Sequence, residues 1–102
     1  MSKTIEFEYR DGANYKWFPN IKISDAKIKE LEEKYGELKN GTEVFYDSDL
    51  GITQDDFHEQ RGYGYDDEID HNILEVTNIL SEEEAQKEPI SFYIDCDEND
   101  NN

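Results

Sequence analysis

Apolar and polar residues alternate at the start of the chain with the period of a strand that has one wet face. Ile5, Phe7 and Tyr9 are interleaved with Glu6, Glu8 and Arg10, a two-residue period that marks a half-buried strand. Past a turn, Tyr15, Trp17, Ile21 and Ile23 continue the odd-numbered set, while Lys16 and Lys22 take the other side. The stretch from Thr4 to Ile23 therefore predicts an aromatic β-hairpin. Asp11-Gly12 alone suggests a two-residue type I′ turn. That register would put the two apolar sets on opposite faces, a one-residue slip that a sheet with one buried face does not tolerate. A three-residue loop, Asp11-Gly12-Ala13, keeps them together, with Tyr9 opposite Tyr15, Phe7 opposite Trp17 and a left-handed residue at Gly12. Pro19 has no N–H for a ladder, so the second strand is expected at an edge or bulged there.

The period changes after Ile23. Ser24 is a good helix N-cap, Asp25 suits the first turn, and Ile28, Leu31 and Tyr35 recur at helical spacing, with Ala26 and Leu38 near the same stripe. Gly36 stands where a C-cap belongs. These signals predict a helix over about 25–35 that covers the hairpin's apolar face, with Lys29–Glu33 and Glu30–Lys34 as i,i+4 pairs. Asn40-Gly41 reads as a turn and Thr42 to Tyr46 as a third strand. Thr53 is placed to cap a short helix to Gln60, within a polar, acidic, glycine-rich segment running from Asp47 to His71. Asn72 to Leu80 fits two periods. Leu74, Val76 and Leu80 alternate as in a strand, and Ile69, Ile73, Val76 and Leu80 are spaced as in a helix. The β-branched content and two asparagines favour the strand. Ser81 with Glu84 forms a capping box that opens a helical turn, which Pro89 ends. Ile90, Phe92, Ile94 and Cys96 then alternate as a last strand. The pattern as a whole is α+β, with one domain over 1–95. It predicts an antiparallel sheet of four to five strands, begun by the hairpin, with one main helix on one face and a disordered acidic tail at 96–102.

Composition adds a constraint the pattern does not supply. Hydrophobic residues make up 34% and charged residues 36% of 102, a balance that disordered chains also show, but aromatics reach 13%. A folded domain with a thin, aromatic-rich core follows. Cys96 has no partner for a disulfide and falls on the apolar stripe of the last strand, so a buried thiol in a reducing cytosol is expected. No leader and no long apolar run is visible, so the expected location is cytoplasmic, with no membrane contact. The net charge is −17, and it is segregated. Residues 1–39 carry eight acids and eight bases, whereas residues 40–102 carry nineteen acids against Arg61 and Lys87. Such a field repels nucleic acid and attracts basic surfaces.

The motifs that could carry chemistry mostly fail on inspection. Asp47-Ser48-Asp49-Leu50-Gly51 opens like a calcium loop, which needs glycine at position six and a bidentate glutamate at twelve. Those positions are Ile52 and His58. His58-Glu59-Gln60-Arg61-Gly62 begins like a zinc-protease helix but has Gly62 in place of the second histidine. Asp55, Asp56, His58, Asp66, Asp67, Glu68, Asp70 and His71 could hold a divalent cation weakly, as acidic loops do without any role; no metal or other cofactor is expected. No nucleophile–base pairing is suggested, and a small domain with a thin core offers little room for a deep pocket, so the expectation is a protein that is not an enzyme. Stacking platforms for single strands need a basic groove, which the charge balance denies to the aromatic hairpin. Direct nucleic-acid binding is therefore not expected.

Phe7-Glu8-Tyr9-Arg10-Asp11-Gly12-Ala13-Asn14-Tyr15-Lys16 resembles the start of a group of small, acidic, uncharacterised bacterial proteins that carry FEYRDGANYK or a close variant. Over about residues 5–80 the similarity extends to the helix, to Asp49-Leu50-Gly51-Ile52 and to Asp70-His71. This chain departs from the group with Asn72-Ile73-Leu74, where an aromatic usually follows. The resemblance implies a bacterial, intracellular α+β domain and brings no activity with it. In size and acidity the chain is also similar to phage-borne nucleic-acid mimics such as anti-restriction and anti-CRISPR proteins, without a shared motif.

DNA carries about one charge per 1.7 Å of axis, and carboxylates at i,i+2 on a strand stand about 6–7 Å apart on one face. A dense carboxylate face can imitate that field. The expected function is thus a non-enzymatic acidic interaction protein. It would present Asp47, Asp49, Asp55, Asp56, Glu59, Asp66, Asp67, Glu68 and Asp70 to a basic protein partner, in its sharpest form as a nucleic-acid mimic. The alternatives are a binding module whose charge serves solubility, and a weak divalent-metal protein using the 47–71 loop.

Overall fold

A computed structural model describes residues 2–11, 15–61 and 72–96, the side chains of Asp11, Tyr15 and Arg61 excepted. The left-handed residue expected at Gly12 and the tail beyond Cys96 lie outside the described residues. The elements follow in the order β1 (Ser2–Asp11), β2 (Tyr15–Trp17), β3 (Asn20–Ser24), α1 (Asp25–Tyr35), β4 (Glu43–Phe45), α2 (Gln54–Arg61), β5 (Ile73–Leu80), α3 (Glu82–Lys87) and β6 (Phe92–Ile94). The fold is α+β. One sheet has the order β4-β5-β1-β3-β6, with β2 paired to β1.

The hairpin loop has the odd length that keeps both apolar sets on one face, but the register is displaced by two residues. Tyr9 lies opposite Trp17 and Asp11 opposite Tyr15, in place of the expected Tyr9–Tyr15 and Phe7–Trp17 pairs. The longer arm decides this, because it places Ile5 opposite Ile21 and Ser2 opposite Ser24. Ile5, Ile21 and Ile23 are thereby fully buried side by side. The second arm is broken at Phe18-Pro19, where Phe7 N–H donates to Pro19 O at 2.9 Å. Of the two expectations for Pro19, an edge or an irregularity in the strand, the second describes it: the arm is interrupted there. Pro19 is buried at the joint between β2, which pairs only with β1, and β3, which is interior and flanked by β6.

β3 and β6 run parallel, so the sheet is mixed and not antiparallel throughout. The reason is the connection: after β5 the chain crosses β1 and β3 through α3 and returns in the same direction. A crossover of this kind makes neighbours parallel, whereas a tight turn makes them antiparallel. β6 is also shorter than the alternation from Ile90 to Cys96 suggests. Asp95 adopts φ 54, a left-handed conformation that no strand continues.

α1 has the predicted bounds. Ser24 Oγ accepts from Lys27 N, and Gly36, at φ 85, donates its N–H to Glu32 O. Ile28 and Leu31 face the core, but the two expected i,i+4 ion pairs are absent. Glu30 takes Lys27 at 2.6 Å, and Lys34 turns away from the helix to Asp49. β5 is a strand, and it contains a bulge: Phe7 pairs with Val76 but Glu6 with Asn78, leaving Thr77 extra. Thr77 Oγ1 lies 2.7 Å from Glu6 Oε1 and 3.1 Å from Glu6 O. The extra residue shifts the alternation, so Leu80 pairs with Thr4 on the far face and not with the Leu74–Val76 set. Thr77→Val keeps the shape and removes the hydroxyl; urea unfolding should show a loss of about 1–2 kcal/mol at unchanged m-value. A loss within error would mean that the backbone alone holds the bulge.

A candidate acidic surface and the Asp49 clasp

The core face of the sheet is covered by two helices, and each positions part of the charge. α2 is held by Phe57, which is 0% exposed. Its ring stacks on Tyr46 at 4.1 Å and meets Tyr9 and Trp17 edge-on at 4.8 and 5.2 Å. Thr53 Oγ1 caps the helix by accepting from Asp56 N at 3.1 Å. With Phe57 turned inward, Asp55, Asp56 and Glu59 are left on the exposed side. Asp55 and Asp56 sit in the first turn, where the helix dipole favours anions.

Asp47 is exposed, and its Oδ1 accepts from Asn72 Nδ2 at 2.8 Å and from its neighbour Ser48 N. Asp49 departs from the expectation of a partner-facing carboxylate: it is 4% exposed and serves the fold. Lys34 Nζ lies 2.6 Å from Oδ1, Tyr35 OH donates to Oδ2, and Phe45 N donates to Oδ2 at 2.8 Å. Burial pushes the Asp49 carboxyl up. The hydrogen bonds from Lys34, Tyr35 and the Phe45 amide, with the lysine charge, outweigh it and hold the group below the usual carboxylate range. Burial and the bond to Asp49 push the Tyr35 hydroxyl up. The bond to Asp49 does the same for Lys34. An ionised acceptor surrounded by committed donors has no proton to exchange; it ties the end of α1 to β4. The Asp49 N–H also donates to Phe45 O at 3.1 Å, so the turn after β4 closes both outward-facing peptide groups of Phe45. Asp66, Asp67, Glu68 and Asp70 lie outside the described residues.

Strand order brings together a set of acids that the sequence reading missed. Glu8 pairs with Glu75 and Glu75 with Glu43, so three glutamates stand in a row across β1, β5 and β4. Opposed residues share a face, here the one turned away from the core. Arg10 and Lys16 approach Glu8 at 3.3 and 3.9 Å. Glu43 and Glu75 have no cation within 4.0 Å among the described residues. Alternation alone marks these positions as polar, but only the pairing of distant strands aligns them. The described acids therefore occupy both sides of the sheet: Asp55, Asp56 and Glu59 over the core face, and Glu43 and Glu75 on the far one. Beyond residue 40, every described carboxylate except Asp49 is exposed and has no cation within 4.0 Å among the described residues.

Among the described residues, no group of three or more His, Cys, Asp or Glu could hold a metal ion, and no helix is long and apolar enough to cross a membrane. Cys96 is half-buried, with Sγ 3.7 Å from Lys22 O. The chain matches no family model, no curated protein and no solved structure.

Proposed function

We propose that this protein is a non-enzymatic acidic interaction protein that binds a basic protein surface. The observation that carries the reading is the sparsely compensated charge: past residue 40 the described carboxylates other than Asp49 are exposed, and among the described residues only Asp49 has a cation within 4.0 Å. Self-repulsion of this kind costs stability, and a basic partner removes the cost on binding. α2 is the best-placed contact. It presents Asp55, Asp56 and Glu59 from a regular helix seated on the core, with Asp47 before it in the chain and Asp66, Asp67, Glu68 and Asp70 after it. The sharpest form of the proposal is a nucleic-acid mimic occupying the basic groove of a DNA- or RNA-binding enzyme, as the general likeness to phage inhibitors suggests. A bacterial and cytoplasmic setting is part of this proposal and rests on the hairpin resemblance.

The test is a pull-down from a bacterial lysate with the wild-type chain and with Asp55→Asn/Asp56→Asn/Glu59→Gln. Basic nucleic-acid-binding proteins should be recovered at low salt, lost as salt rises, displaced by added DNA, and much reduced with the triple variant. Recovery that ignores both salt and the triple substitution would sink the proposal and leave the charge a solubility device.

A further inference from the structure

Asn40-Gly41 occupies the middle of an exposed turn that leads into β4. The pair carries chemistry of its own. An asparagine followed by glycine can cyclise, because no side chain on the next residue hinders its backbone nitrogen. The Gly41 nitrogen attacks Asn40 Cγ, a C–N bond forms, ammonia leaves, and water then opens the imide to aspartate or isoaspartate. The reaction needs only solvent water, and the amide must lose its proton as it attacks.

In the fold that nitrogen is committed. Gly41 N–H donates to Val76 O at 2.8 Å, and Val76 N–H returns a bond to Thr42 O at 2.8 Å. The turn is closed on itself as well: Thr42 N–H donates to Lys39 O at 3.0 Å, and Lys39 N–H to Thr42 Oγ1 at 3.2 Å. Gly41 sits at φ 96, which fixes the peptide plane in a conformation that few other residues adopt. We infer that Asn40 is a deamidation site gated by the Gly41–Val76 hydrogen bond. The nucleophile is released only when the end of the β4–β5 ladder opens. The exposed side chain is ready and the backbone is not. The observed rate is then the intrinsic rate multiplied by the open fraction. The product adds a carboxylate to a chain already at −17, one turn from the opposed Glu43 and Glu75. Its iso form lengthens the main chain by one carbon, so the Gly41–Val76 bond cannot re-form in register.

The experiment compares the folded protein with the same chain in urea at mildly alkaline pH, followed by peptide mapping for the 1 Da gain and for isoaspartate. Asn72 and Asn78, each followed by isoleucine, are internal controls. Asn40 should convert in urea while the controls stay intact, and the folded chain should convert at least about tenfold more slowly, the factor that corresponds to about 1.4 kcal/mol of local opening. Val44→Ala, which loosens β4 against β5, should speed conversion of the folded chain. Equal rates in the folded and urea-treated chains would remove the gate. An Asn40 that stays intact in urea would remove the site.

Discussion

Replacing Phe57 by alanine should produce the largest loss of stability of any single change in α2. The side chain is fully buried against Tyr9, Trp17 and Tyr46, and Phe92 lies parallel to it at 6.3 Å. Removing a buried phenylalanine costs about 3–5 kcal/mol through lost transfer energy and the cavity left behind. That is a large share of the roughly 5–15 kcal/mol available to a domain of this size. The midpoint of thermal unfolding should fall by about 15–25 °C. The effect should be uneven, because Phe57 is the only described residue of α2 that is fully buried. Amides of α2 should lose hydrogen-exchange protection while those of α1, held by Ile28 and Leu31, keep theirs. Phe57→Leu should recover much of the loss. A Phe57→Ala protein with α2 still protected would show that the helix has another anchor.

The second large effect belongs to Asp49. Asp49→Ala leaves the Phe45 amide and the Tyr35 hydroxyl without their acceptor. It should cost about 2–4 kcal/mol, since hydrogen bonds to a buried charged group are among the stronger ones. Lys34 adds little to this because its side chain is 55% exposed and screened by solvent. The pH dependence has a definite sign. The folded carboxyl titrates below its unfolded value, which is about 3.9. Its stabilisation is therefore complete above that value and is lost as pH falls through the lowered folded one. Tyr35 and Lys34 are both raised, so their share is complete below about pH 10 and is lost as pH climbs through their folded values. Acid also relieves the repulsion among exposed carboxylates, which works in the opposite direction. Comparing wild type with Asp49→Asn by urea unfolding from neutral to strongly acid pH separates the two. The gap between the curves should close at the acid end, and a gap that stays constant would refute the clasp.

Local signals were legible in the sequence wherever neighbours in the chain settle the structure. Ser24, Gly36, Thr53 and the Ser81–Glu84 box mark their helices correctly because caps are satisfied within three or four residues. The hairpin's parity was readable for the same reason. Its register was not, because the displacement is set by Ile5 against Ile21, well beyond the loop. Distant partners decided the rest. Thr77 reads as an ordinary strand residue until Glu6 lies opposite it, and the direction of β6 depends on where the α3 crossover lands. Asp49 shows the limit for the candidate site. As a letter in an acidic run it is indistinguishable from Asp47, and only Lys34, Tyr35 and the Phe45 amide converging on it turn a surface charge into an internal one. Among the described residues, charge segregated along the chain likewise does not fall on one face, because β4 and β5 join the sheet while α2 lies over its core side.

The position of β1 bears on how the chain can come to be folded. It is the middle strand of the sheet, and its two neighbours stand at very different distances along the chain. One neighbour, the β2–β3 arm, follows at once, whereas the other, β5, ends at Leu80. A chain emerging from a ribosome can close the hairpin early through local contacts of low entropic cost. The other long side of β1 must wait until α1, β4 and α2 have been made and β5 follows them. During that interval the alternating Glu6 and Glu8 lie along the unpaired strand, where charged side chains discourage pairing with another chain.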